Sequence, residues 1–231
     1  MKDAPVAVVV EDEAQIRRFV RASLEEAGWQ VFEADTVRRG LVEAGTRHPE
    51  LVILDLGLAD GSGLELLRDL RHWSKVHVIV LSARSHENDK IAALDAGADD
   101  FITKPFGAGE LLARVRAAQR RASQAGARGS SMSRFGEVEI DLAARIVSRA
   151  GAEVHLTPIE YRLLAVLVAN AGRVMTHQAL LREVWGPARS DSAHYLRIFM
   201  SNLRQKLEVD PSRPQHLRTE VGVGYRLVLE Q

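Results

Sequence analysis

Five polar residues in the first half of the chain stand at the ends of apolar runs. Glu11 and Asp12 follow residues 6–10, Asp55 follows 51–54, Ser82 follows 76–81 and Lys104 follows 100–103. Each run reads as a strand, and the first and third read as buried on both faces, where a charge is costly. Three carboxylates brought together repel one another unless a cation sits among them, and oxygen ligands with room for water suit Mg²⁺. A carboxylate, a hydroxyl, an ammonium and that ion around one point make a receptor for a phosphoryl group, with Asp55 as nucleophile. Simpler roles compete. Asp55 or Asp60 could cap the helix after "DLGLADGSG", Asp12 could cap the one after "VVVED", and Lys104 could be an ordinary salt-bridge partner. Glu11 has no such simpler role.

Bringing these groups together requires particular elements. Strand-like runs at 6–10, 30–33, 51–54, 76–81 and 100–103 alternate with helical spacing over 13–27, 37–45, 63–72, 87–96 and 108–121. Ile16, Phe19, Val20, Ser23 and Leu24 form one apolar stripe of that kind. Five such repeats predict an α/β domain over residues 1–121, a five-stranded, parallel, doubly wound sheet with helices on both faces. Where the winding reverses after the first strand, strands one and three become neighbours. Their carboxyl ends then meet at the crevice in which such sheets bind ligands.

Residues 122–133, "ASQAGARGSSMS", lack periodicity and read as a flexible linker. As a coil it spans ~20 Å between its ends and extends to ~40 Å. Residues 134–231 read as an α+β domain. Strand candidates at 135–142, 145–149 and 153–156 precede three helices. The first opens with a Thr157 cap, Pro158 at the first helical position and Glu160 placed to close a capping box. The second follows Thr176, and the third spans 192–208. A glycine-rich hairpin over 217–229 ends the chain. Three helices and a hairpin in this order make a winged helix-turn-helix, a docking unit for duplex DNA.

On a wheel of the third helix, Leu196, Phe199, Met200, Leu203 and Leu207 face the core. His194, Ile198, Ser201 and Gln205 face away, flanked by Arg197 and Arg204 on one side and Asn202 and Lys206 on the other. An exposed Ile198 among polar donors suits contact with a thymine methyl in the major groove. His194, Arg197, Ser201, Asn202 and Arg204 are therefore candidates for base or phosphate contact, and Thr219, Arg218 and Arg226 for the hairpin's contribution.

Composition narrows the alternatives. The chain has no cysteine, which excludes disulfides, thiolate metal sites and thiol nucleophiles. Its apolar runs are too short to cross a bilayer, and the N-terminus lacks the pattern of a signal peptide, so a soluble cytoplasmic protein is expected. Lys plus Arg against Asp plus Glu is 17 against 20 in residues 1–121 and 14 against 11 in 122–231. A slightly acidic half is joined to a slightly basic one.

Glu11-Asp12, Asp55, Ser82-Ala83 and Lys104-Pro105, with "DAGADDFITKPF", resemble the receiver domain of two-component response regulators, a flavodoxin-like fold. "LTPIEYRLL", "VWG" and "VGVGYRL" resemble the winged-helix effector of the OmpR/PhoB-like branch. The resemblance implies that Asp55 accepts a phosphoryl group from a sensor histidine kinase. Mg²⁺ would be held by Glu11, Asp12, Asp55 and the Gly57 carbonyl. Lys104 would pair with the phosphoryl oxygens, beside a cis bond to Pro105, and Ser82 and Phe101 would form the switch. The only chemistry expected is Mg²⁺-dependent self-phosphorylation and dephosphorylation. Many relatives carry Tyr where this chain has Phe101, and Pro where it has Ala59, so the loop after Asp55 is expected to be less rigid.

The resemblance further implies a homodimer on phosphorylation, pairing Lys90 with Glu110, Asp95 with Arg116 and Asp100 with Arg114 across a two-fold axis. It implies double-stranded promoter DNA with direct-repeat half-sites, and RNA polymerase, as partners, with no membrane. Within the branch, "DLGLADGSG" and "HYLRIFMSNLRQKLE" look closest to the Kdp-type, potassium-responsive regulators. That implies a Kdp-type sensor kinase and a high-affinity potassium-transport operon as target. A phosphatase using an aspartyl phosphate would need Asp two residues after the nucleophile, where this chain has Gly57. A constitutive DNA-binding protein would not need the full set of Glu11, Asp12, Asp55, Ser82 and Lys104.

Overall fold

The computed structural model describes residues 4–83, 87–125, 132–186 and 193–229. It divides into two compact units, with the boundary between Arg120 and Arg121. In the first unit the strands are β1 (Val6–Val10), β2 (Gln30–Ala34), β3 (Leu51–Asp55), a short hairpin β4 (Gly57–Leu58) and β5 (Gly61–Ser62), β6 (His77–Ala83) and β7 (Asp100–Lys104). The helices are α1 (Ala14–Glu26), α2 (Val37–Arg47), α3 (Gly63–Trp73), α4 (Glu87–Asp95) and α5 (Ala108–Ala125). The main sheet runs β2-β1-β3-β6-β7, parallel throughout.

Strands β1 and β3 are therefore neighbours, as the reversed winding required, with Val10 beside Leu54. Beyond them Asp55 lies beside Leu81, and Ser82 beside Thr103. Val9, Ile53, Ile79, Leu81 and Ile102 pack under Val20 and Leu24 of α1 and Leu111 and Val115 of α5. Apolar area of this kind stabilises by ~25 cal/mol per Å² buried, which fixes the sheet rigidly beneath the polar strand ends. On the other face α2 comes close because residue 40 is glycine. A Cβ there would lie 2.9 Å from Leu66 and 3.0 Å from Val10.

Several boundaries differ from expectation, and β8 begins at Met132, inside the expected linker. Helix α5 continues through Ala125, because the first residues of the expected linker, "ASQA", include the good helix formers Ala and Gln. The strands β3, β6 and β7 also reach one or two residues further than hydrophobicity indicated, so Asp55, Ser82 and Lys104 belong to the strands themselves.

The second unit opens with β8 (Met132–Phe135), β9 (Val138–Asp141), β10 (Ile146–Arg149) and β11 (Ala152–Glu153), an antiparallel sheet ordered β11-β10-β9-β8. The run 135–142 was expected as one strand. It is broken instead at Gly136, whose positive φ of 50° turns β8 back on β9. Helices α6 (Pro158–Ala169), α7 (His177–Trp185) and α8 (Ala193–Leu207) follow, with β12 (Met175–Thr176) between the first two. The hairpin β13 (Leu217–Glu220) and β14 (Gly224–Leu227) closes the fold, in a sheet ordered β12-β14-β13.

The capping box at Thr157 and Glu160 is present, with Thr157 N donating to Glu160 Oε2 at 2.9 Å. Lys206 Nζ reaches the same oxygen at 2.7 Å and ties α8 to the start of α6. Leu196, Met200, Leu203 and Leu207 are buried against α6 and α7, and Phe199 packs against Trp185 at 5.6 Å between ring centroids. Strand β12 pairs with β14 only because residue 224 is glycine. A Cβ there would lie 1.9 Å from the Met175 carbonyl.

Candidate functional site

The ends of β1, β3 and β7 bring Glu11, Asp12, Asp55 and Lys104 together. One carboxylate oxygen from each of Glu11, Asp12 and Asp55 lies within 4.8 Å of the others. Lys104 Nζ sits 2.9 Å from Asp55 Oδ1, 2.9 Å from Glu11 Oε2 and 3.1 Å from Glu11 Oε1. The ammonium thus bridges the two buried carboxylates, and their hydrogen bonds raise its pKa against the opposing effect of burial. Lys104–Pro105 is cis. Ser82 is buried near the end of β6.

The simpler capping roles do not hold for these residues. Helix α1 is capped by Glu13 without a side-chain hydrogen bond, so Asp12 is not a cap. Helix α3 is capped by Ser62, whose hydroxyl accepts from Leu64 N at 3.2 Å, so neither Asp55 nor Asp60 caps it. Lys104 is an ion-pair partner, as the simpler role had it, but of several carboxylates at once: Glu11 and Asp55 at 2.9 Å and Glu13 at 3.8 Å.

Glu11 is fully buried, and its Oε2 accepts no hydrogen bond despite the nearby ammonium. Burial, reinforced by the Asp55 charge, pushes its carboxyl up to about 7. A buried carboxylate with an unsatisfied oxygen, two more carboxylates within reach and an all-oxygen donor set fit a hard divalent cation. Gly57, whose carbonyl was expected to join them, starts the β4–β5 hairpin and donates its N–H to Asp55 Oδ2 at 3.1 Å.

Sequence reasoning missed two residues that hold this pocket. Asp60 Oδ1 accepts from Val37 N at 2.8 Å, which ties the loop after Asp55 to the start of α2. This restrains the loop in which Ala59 replaces proline. Arg17 NH1 donates to the carbonyls of Glu11 at 2.6 Å and Asp12 at 3.1 Å. The clue to it was positional: helical side chains lean toward the N-terminus, so a long donor one turn into α1 covers the loop before it.

On the other side of β7, Phe101 is half-buried with Lys90 Nζ 5.3 Å from its ring centroid. Asp100 is fully buried and Arg114 NH1 lies 3.0 Å from its Oδ1, within one chain. The resemblance had set that pair across a two-fold. A carboxylate buried at the start of β7 needs a cation, and α5 supplies it locally. Glu110 lies 4.0 Å from the same guanidinium. Asp95 and Arg116 are exposed.

The chain matches the response regulator receiver domain family over residues 7–116 and the family of transcriptional regulatory protein C-terminal domains over 151–227. The KDP operon transcriptional regulatory protein KdpE of Escherichia coli K12 is 61% identical over 222 residues, 96% of this chain and 98% of that protein. The chain is a two-component response regulator. Its effector is a winged-helix DNA-binding domain, and it is KdpE-like: KdpE of Mycobacterium tuberculosis CDC 1551 is 49% identical over 96% of this chain and 98% of that protein. The crystal structure of response regulator DrrB, a Thermotoga maritima OmpR/PhoB homologue, covers 97% of this chain and 99% of that one with a TM-score of 0.51 at 30% identity. The family is one of transcription factors rather than enzymes. No helix among the described residues is long and apolar enough to cross a membrane.

In the response regulator's second unit, α8 presents Arg197, Ile198 and Ser201 to solvent, with Asn202 half-buried beside them. Ile198 is 42% exposed, and Tyr195, one turn earlier and not foreseen, is 58% exposed. His194 lies on α8, but its side chain falls outside the described part, as does Ser192. Arg204 differs from expectation. Its guanidinium donates twice to the Leu217 carbonyl, at 2.9 and 2.6 Å, and once to Thr219 Oγ1 at 2.7 Å. Arg226, expected as a phosphate contact, is buried. It donates to Glu220 Oε1 at 2.7 Å and to the Gly172 carbonyl at 3.0 Å; with Tyr225 and Leu227 in the core, alternation puts it on the opposite face of β14, where these partners cover it. Arg218 is exposed, with Nε 2.7 Å from the Gln215 carbonyl.

Proposed function

We propose that Asp55 accepts a phosphoryl group from a phosphohistidine of a Kdp-type sensor kinase in the cytoplasm, and that this promotes dimerisation and binding to promoter DNA. An Asp55 oxygen forms the new bond to phosphorus as the P–N bond breaks, and the electron pair stays on the imidazole nitrogen. The observation that carries this is the Lys104 ammonium 2.9 Å from Asp55 Oδ1 with three carboxylates clustered beside it. Glu11, Asp12, Asp55 and the Gly57 carbonyl would hold Mg²⁺, which supplies charge neutralisation for the phosphoryl oxygens. Lys104 then exchanges a carboxylate partner for a phosphoryl oxygen, and Ser82 donates its hydroxyl from β6.

The added charge favours the dimer only through contacts that differ between two states. Lys90, Asp95, Glu110, Arg114 and Arg116 form the candidate self-pairing face, with buried Asp100 holding Arg114 from within the same chain. On DNA, α8 enters the major groove with Arg197, Ile198, Ser201 and Asn202, joined by His194, while Arg204 holds the hairpin to the helix from behind. Thr219 and Arg218 of the hairpin approach the backbone. The name of the E. coli relative points to a kdp operon as target, which RNA polymerase then transcribes.

The test is selection of sites from random duplex DNA at one salt concentration, with and without Mg²⁺ and beryllofluoride. Direct repeats enriched only with the phosphoryl mimic support the switch. Equal enrichment in both conditions overturns it and leaves a DNA reader.

A further inference from the structure

We infer that Arg17 is a positioning residue of the metal pocket, a role that rests on the function proposed above. Glu11 and Asp12 stand on the short loop between β1 and α1. The loop's backbone is held from two sides. Glu11 N donates to the Ala34 carbonyl of β2 at 3.0 Å. Arg17 NH1 takes the Glu11 and Asp12 carbonyls at 2.6 and 3.1 Å. With both carbonyls held by the guanidinium, the backbone that carries the two carboxylates is fixed where they meet Asp55.

The rest of the guanidinium is anchored too. Arg17 Nε lies 3.8 Å from Glu33 Oε1 on β2, and Glu33 is itself held by Arg21 at 2.9 Å. Its place is unusual for a helix start. A cation in the first turn opposes the helix dipole, an effect that acidic Glu13 at the cap and Asp12 before it offset. The arrangement is accounted for by what it does to the loop. It also sets a fixed positive charge behind the three carboxylates without occupying a ligand position. Groups that orient the ligands of a metal site in this way typically change its affinity 10–100-fold when removed.

The test measures binding of Mn²⁺ to the full chain by paramagnetic resonance, with Mg²⁺ as competitor, alongside melting without metal. For Arg17→Gln the dissociation constant is expected to rise by ~10–100-fold while the metal-free melting temperature changes little. Arg17→Lys, which can reach only as a point donor, is expected to fall between the two. Glu33→Gln, which loosens the anchor without touching the loop, should weaken binding in the same direction by less. It also serves if Arg17→Gln does not fold.

Binding by Arg17→Gln and Glu33→Gln as tight as by the original chain overturns the inference. So does a weakening that only tracks lost folding and is not relieved by lysine. Asp12→Asn separates the two levels. If it binds Mn²⁺ as the original chain does, or if the original chain does not bind, the pocket is not the metal site and the proposed function fails first.

Discussion

Arg204 on α8 and Thr219 on β13 are joined by a 2.7 Å hydrogen bond, so the helix and hairpin proposed to approach DNA are held as one piece. Two further bonds from the same guanidinium to the Leu217 carbonyl leave little freedom between them. Arg204→Ala removes all three, each worth ~1.5–3 kcal/mol when a charged donor is involved. We expect amide exchange of β13 and β14 to speed up while α8, held by Leu196, Met200 and Leu203, stays protected. DNA affinity should fall at least tenfold. Thr219→Val, which removes one acceptor, should do the same to a smaller degree. Hydrogen exchange with binding at one salt concentration measures both.

The Glu11 carboxyl, raised to about 7 chiefly by burial, predicts an uncommon pH response. A carboxyl raised in the folded state contributes stability that is present below its ordinary value near 4.5 and is lost as pH rises toward 7. Without divalent metal the receiver should therefore lose stability across that window, by up to about 3 kcal/mol. A cation that needs the ionised form reverses this. Apparent Mg²⁺ affinity should rise about tenfold per pH unit below 7 and level off above it. Melting curves with and without Mg²⁺ from pH 5 to 8 test it, and Glu11→Gln should flatten the metal-free dependence.

The strand ends were legible because hydrophobic runs stop where charge begins, which is why Glu11, Asp12, Asp55 and Lys104 were found from spacing alone. The sheet order followed from the reversed winding of parallel units. What spacing cannot carry is where long side chains go once the backbone is set. Arg204 and Arg226 are donors whose sequence positions suit DNA, yet each satisfies a buried carbonyl or carboxylate nearby. Arg17 and Asp60 have the opposite history. Arg17 looks like a surface charge in sequence and Asp60 like a cap for the helix after it, yet both hold loops of the pocket through backbone atoms, C=O or N–H, that no side-chain pattern reveals.

Gly63 sets how closely α3 follows the phosphoacceptor. Its N–H donates to the Leu56 carbonyl at 3.0 Å, and a Cβ at this position would lie 2.1 Å from the Asp55 carbonyl oxygen. No side-chain movement relieves that contact, since the clash is with backbone. Gly63→Ala should lower stability by about 3 kcal/mol, near the upper end for overpacking. It should also displace Asp55 enough to slow phosphoryl uptake from acetyl phosphate. A thermal melt and a phosphorylation time course of the same variant test the two effects, and an unchanged melt would contradict the geometry.

Ile198 is 42% exposed on α8, with Tyr195 one turn before it and Ser201 one turn after. Leaving a branched apolar side chain in water has no benefit to the fold, whose core is filled by Leu196, Met200 and Leu203. In the major groove, on the proposed reading, it would meet the methyl group that distinguishes thymine from the other bases. Ile198→Ala removes most of that contact, roughly 1 kcal/mol or about fivefold in affinity at the methyl-bearing position. The expected result is selective. Preference for T at one position in each half-site should relax, while affinity for sites lacking that T stays the same. Arg197→Ala serves as the contrast. If it binds phosphate, affinity should fall for every sequence, and the slope of log K against log salt should drop by ~0.9. Uniform weakening by Ile198→Ala across all sites would remove it from base reading and leave it as an exposed apolar residue of the surface.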